Sequence, residues 1–444
     1  MGLAQREVPS IPPAPSRTQG RTQSRTRRAF AIALLALALL AVVRSITGAN
    51  ELTSSGTFGA ALRLAIPILL AGLGALYAER AGVINIGLEG MMILGTWFGA
   101  WAGFEFGPWQ GVLFGIIGGG LGGLLHAVAT VTFGIDHIVS GVAINILAAG
   151  AARFLSVVAF TGRGGGATQS PRVTGGAGRI TLPFLGGGEL FGWQTPDLFG
   201  ALERQRWVFV SDLAAVVKGI STGVSWLTIL AIVLVILSFF LLWRTSFGLR
   251  LRSVGEHPVA AESLGVPVYR MKYIAVMISG GMAGLGGAYL VLEQARIYRE
   301  GQTGGRGFIG LAAMIFGNWR PGGVASAAGI FGYADSLHLR SERAAHGLLL
   351  FVAIALSAWA VWRIAGAGRG FGLPSVSRRG VLTSVAVLAL AGLIFYWFAS
   401  TDTVPREFVF FLPHITTLLV LSLASQRLRP PAADGVPYRR GQSL

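Results

Sequence analysis

Residues 79–95 read ERAGVINIGLEGMMILG. The run lies in one of the most apolar parts of the chain, yet it holds Glu79, Arg80, Asn85, Glu89 and glycines at 82, 87, 90 and 95. An ionised side chain at the bilayer centre costs about 3 kcal/mol or more. A glycine inside a helix costs about 1 kcal/mol relative to alanine. Such residues belong where a helix is interrupted. Non-helical backbone at membrane depth is tolerated only where it lines a cavity or is buried in protein. The stretch therefore predicts a discontinuous helix in a membrane protein, with Asn85 offering an amide and Glu89 needing a partner. Two roles stay open for Glu89: contact with a ligand, or capping of freed backbone amides or pairing with an arginine such as Arg63.

The rest of the chain supports the membrane assignment. Of 444 residues, 53% are hydrophobic and only 12% charged, against about 25% charged in a soluble domain. There are 65 glycines, about double the usual share, which suits close packing of membrane helices. Cysteine is absent, which excludes disulfides and thiolate metal sites. The net charge of +17 is almost all arginine. It clusters beside apolar spans, so it reads as topology and not as nucleic-acid binding.

Residues 1–28 are Pro-, Ser- and Arg-rich and are expected to form a disordered basic tail. Residues 29–43 suit a first anchor better than a signal peptide. Further spans are expected at about 57–78, 84–103, 109–133, 137–160, 223–243, 272–293, 308–337 (split at Asn318-Trp319-Arg320-Pro321), 344–365, 381–400 and 407–425. The expected fold is an all-α polytopic membrane protein of about 10–11 spans. Basic residues gather on one side if the N-terminus is cytoplasmic: Arg6, Arg17, Arg21, Arg25, Arg27 and Arg28; then Arg244, Arg250, Arg252, Arg270 and Lys272; then Arg369, Arg378 and Arg379; then Arg427, Arg429, Arg439 and Arg440. Arg296, Arg299 and Arg306 fall on the outer side and count against that orientation. The glycine-rich segment 161–222 is then an irregular external cap.

AGLGALY at 71–77 recurs as AGLGGAY at 283–289, identical at five of seven positions, and GLEGMMILGTW at 87–97 is echoed by GLAAMIFGNW at 310–319. In the assumed orientation the two AGLG spans run in opposite directions, which makes an inverted repeat with discontinuous helices, a common transporter plan. The second break is then EGQTGGRGFIG at 300–310. Between two spans, 247–272 stands out as a non-membrane loop. Pro258 suits a first helical turn and Gly265 a stop. The two turns between them are too short to be stable alone and need a dock.

Three stretches together resemble the permease subunits of bacterial ABC importers: ERAGVINIGLEGMMILG, HAVATVTFGIDHIVSGVAINILA at 126–148, and FGLRLRSVGEHPVAAESLGVPVYRMK at 247–272. The branch is the one holding ribose and branched-chain amino-acid permeases. NIGLEGMM with IVSGVAIN is most similar to its nucleoside-importer permeases, which work with a binding lipoprotein. The resemblance covers about 57–365, leaving 366–444 as extra spans and a basic tail. It implies a multi-pass protein of the bacterial inner membrane that pairs with a second permease and two ATP-binding subunits and is fed by an extracytoplasmic lipoprotein. It implies that Glu256, His257, Pro258, Ala260, Ala261 and Glu262 form the coupling helix on the ATPase, and that the break at Asn85 and Glu89 lines the solute path. Asn145, Gln302, Thr303 and Phe308 add the amides, hydroxyl and aromatic face that a ribose and a flat base would use. Asn145 could equally bridge neighbouring helices, and a sugar would suit nearly the same set.

The chain has no Gly-Lys-Ser/Thr phosphate loop. Nucleotide hydrolysis, with its ATP and Mg, is therefore expected in a partner. His126, His137, His257, His338, His346 and His414 are scattered without a metal-binding spacing. No cofactor, metal, catalytic residue or nucleic-acid partner is expected. Two readings compete with the nucleoside permease: a sugar or branched-chain amino-acid permease of the same kind, and an ion-coupled secondary transporter titrating Glu89.

Overall fold

The computed structural model of the chain describes residues 18–164, 166, 168–339, 342–368, 378–405, 408 and 428–441. The expected span at 407–425 lies outside the described residues, apart from Phe408, as do His414 and several of the arginines counted above. The described chain is almost entirely helical: α1 (Thr18–Thr47), α2 (Ser55–Arg80), α3 (Leu88–Glu105), α4 (Pro108–Ala127), α5 (His137–Phe160), α6 (Leu198–Arg204), α7 (Val210–Ser221), α8 (Trp226–Arg244), α9 (Ser246–Glu256), α10 (Pro258–Ser263), α11 (Val268–Tyr289), α12 (Arg306–Phe316), α13 (Pro321–His338), α14 (Glu342–Gly368) and α15 (Arg378–Ser400). Among the described residues, eight helices are long and apolar enough to cross a membrane: α1, α2, α4, α5, α8, α11, α14 and α15. α3 and the α12–α13 pair are not among them. The split at Asn318–Pro321 is real: α12 has 11 residues, about 17 Å at 1.5 Å per residue, too short to span.

Local sequence sets the helix ends. Ser54 caps α2 by accepting from the Thr57 amide at 3.2 Å. Asp136 caps α5 through the amides of Ile138 and Val139, and Ser225 caps α8 through Thr228. Prolines open α4, α10 and α13, where a missing N–H costs nothing. Pro67 sits inside α2 and leaves the Arg63 carbonyl without its helical donor. The Gln294 side-chain amide, from the π-helical turn that continues α11, donates to that carbonyl at 2.7 Å.

α2 and α11 form the buried centre. They pack antiparallel, and the contact is reciprocal. Gly74 lies against the Ser279 carbonyl and Gly286 against Pro67. The AGLG repeat relates position n to n + 212, since 283 − 71 = 212. Gly74 therefore corresponds to Gly286, and Pro67 to Ser279. Gly74 meets Ser279 while its counterpart Gly286 meets Pro67, the counterpart of Ser279, as a pseudo-two-fold axis between the helices requires. Each is also followed by a break and a short helix, 81–87 then α3 and 295–305 then α12. The inverted repeat is thus built into the core packing.

α3 and α4 close around α11 through glycines. A Cβ on Gly284 would stand 2.2 Å from the Gly115 carbonyl oxygen, and one on Gly95 2.3 Å from that of Gly284. α5 and α8 lie outside this core and expose large apolar side chains such as Ile146, Phe154, Ile236 and Phe240, a surface suited to lipid. α1 packs with α14 around Val43, Leu52, Leu337 and Leu350.

The 161–222 cap is more ordered than its glycines suggest. Two short antiparallel pairs, β1–β4 (Arg179–Ile180 with Val224–Ser225) and β2–β3 (Glu189–Leu190 with Trp193–Gln194), accompany α6 and α7. Asp212 of α7 holds Arg44 at 3.0 Å and accepts from Thr53, Glu203 accepts from the Ser55 amide at 2.8 Å, and Arg179 pairs with Glu293 at 2.6 Å. Residues 168–173 run along the α11–α12 connection, with Ser170 N donating to Tyr298 O and Val173 N to Arg296 O.

Gly284→Leu should destabilise the protein in detergent by about 2 kcal/mol or more, because no side chain fits between α11 and α4. Gly150→Leu, at a position on α5 with open space around it, should leave the midpoint of thermal unfolding unchanged. Equal midpoints for the two variants would contradict this helix packing.

Candidate functional site

In the first break, residues 81–87, mostly buried backbone groups lose their helical partners. Each orphaned group costs several kcal/mol there unless satisfied. The brace comes from three helices. From α4, His126 places Nε2 3.0 Å from the Ile84 carbonyl and Nδ1 2.9 Å from Ser140 Oγ. From α5, His137 Nδ1 accepts from the Ile84 amide at 3.3 Å. Asn145 reaches both sides: its Nδ2 donates to the Ile86 carbonyl at 3.1 Å and its Oδ1 accepts from the Gly90 amide at 2.7 Å. From α11, Lys272 Nζ donates to the Gly82 carbonyl at 3.4 Å. Gly82 itself adopts a left-handed conformation, φ 76°, which favours glycine. Lys272, grouped by sequence with the loop cations, is instead buried in α11.

Asn85 is fully enclosed. Its Nδ2 donates to Ser279 Oγ at 2.9 Å and lies 3.3 Å from Met91 Sδ. Its Oδ1 is a buried acceptor with no hydrogen bond. Asn85 ties the break to α11 on the face that carries the pseudo-two-fold contact.

Glu89 stands in the first turn of α3, and its carboxylate crosses to the second break. Oε1 accepts from the Gly305 amide at 2.9 Å and Oε2 from the Gly307 amide at 2.7 Å. These are orphan donors at the start of α12, where the helix dipole also favours a negative charge. Gly305 is left-handed, φ 78°, and a Cβ on Gly307 would stand 2.6 Å from the Glu89 backbone. The capping role left open by sequence is the one the geometry displays. One carboxylate therefore joins the two halves of the repeat.

The other expected path residues gather at the second break. Thr303 is buried, while Gln302 is half-buried and its Oε1 accepts from the Arg299 amide. Arg306 pairs with Asp335 of α13 at 3.3 Å. Phe308 is 46% exposed on α12. Asn85, Glu89 and Asn145 are engaged with the protein, whereas Gln302 and Phe308 retain accessible surface.

The hairpin at 247–272 contains α10, Pro258–Ser263, where Pro258 and Gly265 place it; Gly265 is left-handed, φ 81°. His257 caps it by accepting from the Ala260 amide at 3.3 Å. Ala261 is its buried contact, while Glu256, His257 and Ala260 are exposed. Sequence did not anticipate α9, an 11-residue helix that precedes it. The hairpin seats on the end of α2. Arg80 lies 4.0 Å from Glu256, and both Arg80 and Arg252 stack over Trp243. The next residues of α2 bind the turn before α13: Glu79 accepts from Trp319 Nε1 at 2.7 Å, and Arg80 donates to the Trp319 carbonyl at 2.7 Å. The hairpin, the first break and the second short helix are one connected body.

Residues 57–358 match the family described as branched-chain amino acid transport system / permease component. The chain belongs to this family of ABC permease subunits. The match covers both breaks, the hairpin and the cap, and stops within α14. The permease is 33% identical to the guanosine ABC transporter permease protein NupQ of Bacillus subtilis (strain 168), over 86% of this chain and 96% of that one. It is 34% identical to the putative glucose ABC transporter permease protein TsgC13 of Haloferax volcanii, over 65% of this chain and 78% of that one. It is also 34% identical to the nucleoside ABC transporter permease protein NupC of Lactococcus lactis subsp. cremoris, over 61% and 78%. No solved structure matches the chain.

Replacing Glu89 with alanine should cost about 2–4 kcal/mol, from the loss of two charge-assisted hydrogen bonds. Glu89→Gln should recover only part, because its amide nitrogen opposes a backbone N–H. The unfolding midpoints of the detergent-purified protein check the order wild type, Gln, Ala.

Proposed function

We propose that this permease carries nucleosides inward across a bacterial plasma membrane, with its N-terminus and the 247–272 hairpin in the cytoplasm. Separate ATP-binding subunits drive it with ATP and Mg, a second permease completes the path, and an extracytoplasmic lipoprotein delivers the solute. The observation that carries the substrate class is the near end-to-end similarity to a guanosine permease. Closure of the ATPase pushes on α10, and the hairpin passes the load through Arg80 and Glu79 to the breaks, which open the path alternately to each face. Phe308 offers a face for base stacking, and Gln302 offers an amide for ribose hydroxyls. Asn85, Glu89 and Asn145 shape the path by holding the breaks in register.

A sugar or branched-chain amino-acid permease is the second reading, favoured by the match to a putative glucose permease. An ion-coupled secondary transporter is disfavoured. A carboxylate that accepts from two backbone amides is a cap, and releasing it to carry a proton would leave the start of α12 uncapped.

In liposomes holding this permease with its second permease, ATPase and binding protein, guanosine should stimulate ATP hydrolysis and accumulate inside, and glucose and leucine should not. The opposite selectivity would overturn the nucleoside assignment. Phe308→Ala should lower guanosine uptake about tenfold if the ring stacks on the base. Uptake that survives deletion of residues 258–263 would remove the coupling helix from the mechanism.

A further inference from the structure

The C-terminal segment 428–440 takes no part in the family match, yet it is bound along the hairpin face of the protein. At its start, Leu428 packs on the main core and the Arg429 amide donates to Asn318 Oδ1 at 2.9 Å. Asn318, φ 51°, is one of two left-handed residues, with Trp319, in the turn after α12. In its middle, the Ala433 amide donates to the Gly255 carbonyl at 2.9 Å, and the Ala432 amide lies 3.3 Å from Glu256 Oε2. The Ala433 carbonyl sits 3.0 Å from where a Cβ on Gly82 would be, and Gly435 lies against Ile84. Asp434 faces Glu79, Arg80 and Lys272, and burial pushes its carboxyl up to about 6. At its end, Tyr438 packs on the Tyr269 ring and donates to Glu262, and Arg440 pairs with Glu262 at 3.2 Å. Burial, then the Glu262 carboxylate, push the Tyr438 phenol up to about 12, so it remains a donor. A groove of about 510 Å³ runs between this segment and the start of α10, lined by His257, Val259, Val436 and Tyr438 among others.

These contacts reach three places: the coupling helix, the first break at Gly82–Ile84, and the turn after the second short helix. A loose tail has no need of all three. We propose that residues 428–440 are a positioning strap that ties the coupling hairpin to both helix breaks, so that displacement of α10 is transmitted into the membrane. The proposal rests on the assignment of α10 as the ATPase contact. It adds a second mechanical route beside Arg80, one contributed by a segment outside the family match.

The native chain has no cysteine, so paired thiols report directly. Val259→Cys with Val436→Cys faces the groove from both sides without touching Glu262, Tyr438 or Arg440. In membranes of the expressing cells, a short bis-maleimide should link the two thiols within one chain. If each single cysteine reacts with a monofunctional maleimide but the pair does not link, the strap is not where the proposal needs it. This arm requires no ATPase and no solute.

The second arm uses the reconstituted importer. Truncation after Arg427, and the milder pair Tyr438→Phe with Arg440→Gln within the strap itself, should keep ATP hydrolysis but lower guanosine imported per ATP by about threefold or more. The point variants decide the matter if the truncated chain does not fold. An unchanged ratio overturns the strap, and so does faster coupled import, which would make the segment a brake. If the unaltered complex shows no solute-coupled hydrolysis, the importer assignment fails and the strap's role fails with it, whereas a linked Val259–Val436 pair alongside normal coupling in the strap variants refutes the strap alone.

Discussion

Everything in this fold answers to one constraint: backbone amides and carbonyls inside a membrane must be satisfied by the protein itself. Two interruptions near the ends of the central helices expose such groups, and the polar residues of an otherwise apolar chain collect around them. His126, His137, Asn145 and Lys272 serve the first break. Glu89 serves the start of α12 beyond the second. Gln294 even supplies the donor that Pro67 removed. A polar group in such a place is first a structural necessity, and solute recognition has to be built from what remains accessible.

The second constraint is closeness. α11 passes α4 and α3 with backbone against backbone, because glycines meet where their axes cross. Without a hydrophobic drive between helices in lipid, van der Waals contact of this kind supplies much of the cohesion. It also makes the centre stiff. The backbone turns at the breaks, where Gly82 and Gly305 are left-handed.

Much of this was legible in the sequence, and the reasons differ by element. The first break showed itself through Gly82, Asn85 and Glu89, because residues of that kind are costly in an uninterrupted span. α10 showed itself through Pro258 and Gly265, whose backbone preferences are local. The repeat was legible as AGLG and as GLEG with its echo. The capping role of Glu89 was not, because its partners lie 216 and 218 residues away. The histidines looked scattered, since only the fold brings His126 and His137 to the same carbonyl–amide pair of Ile84. α6, α7 and α9 hid in segments read as loops, where the contacts that stabilise them come from α1, α2 and α8. The C-terminal segment carried no signal beyond its charge, because nearly every contact it makes is with residues more than a hundred positions away.

The two breaks are related by the pseudo-two-fold axis, but their supports are not. One is held by imidazoles, an amide and an ammonium group, the other by a carboxylate beneath a cap pinned to α1. Had duplication been left untouched, the two breaks would be images of each other and equal in stability. Divergent bracing removes that equivalence, so the two ends of the core share one plan but differ in chemistry.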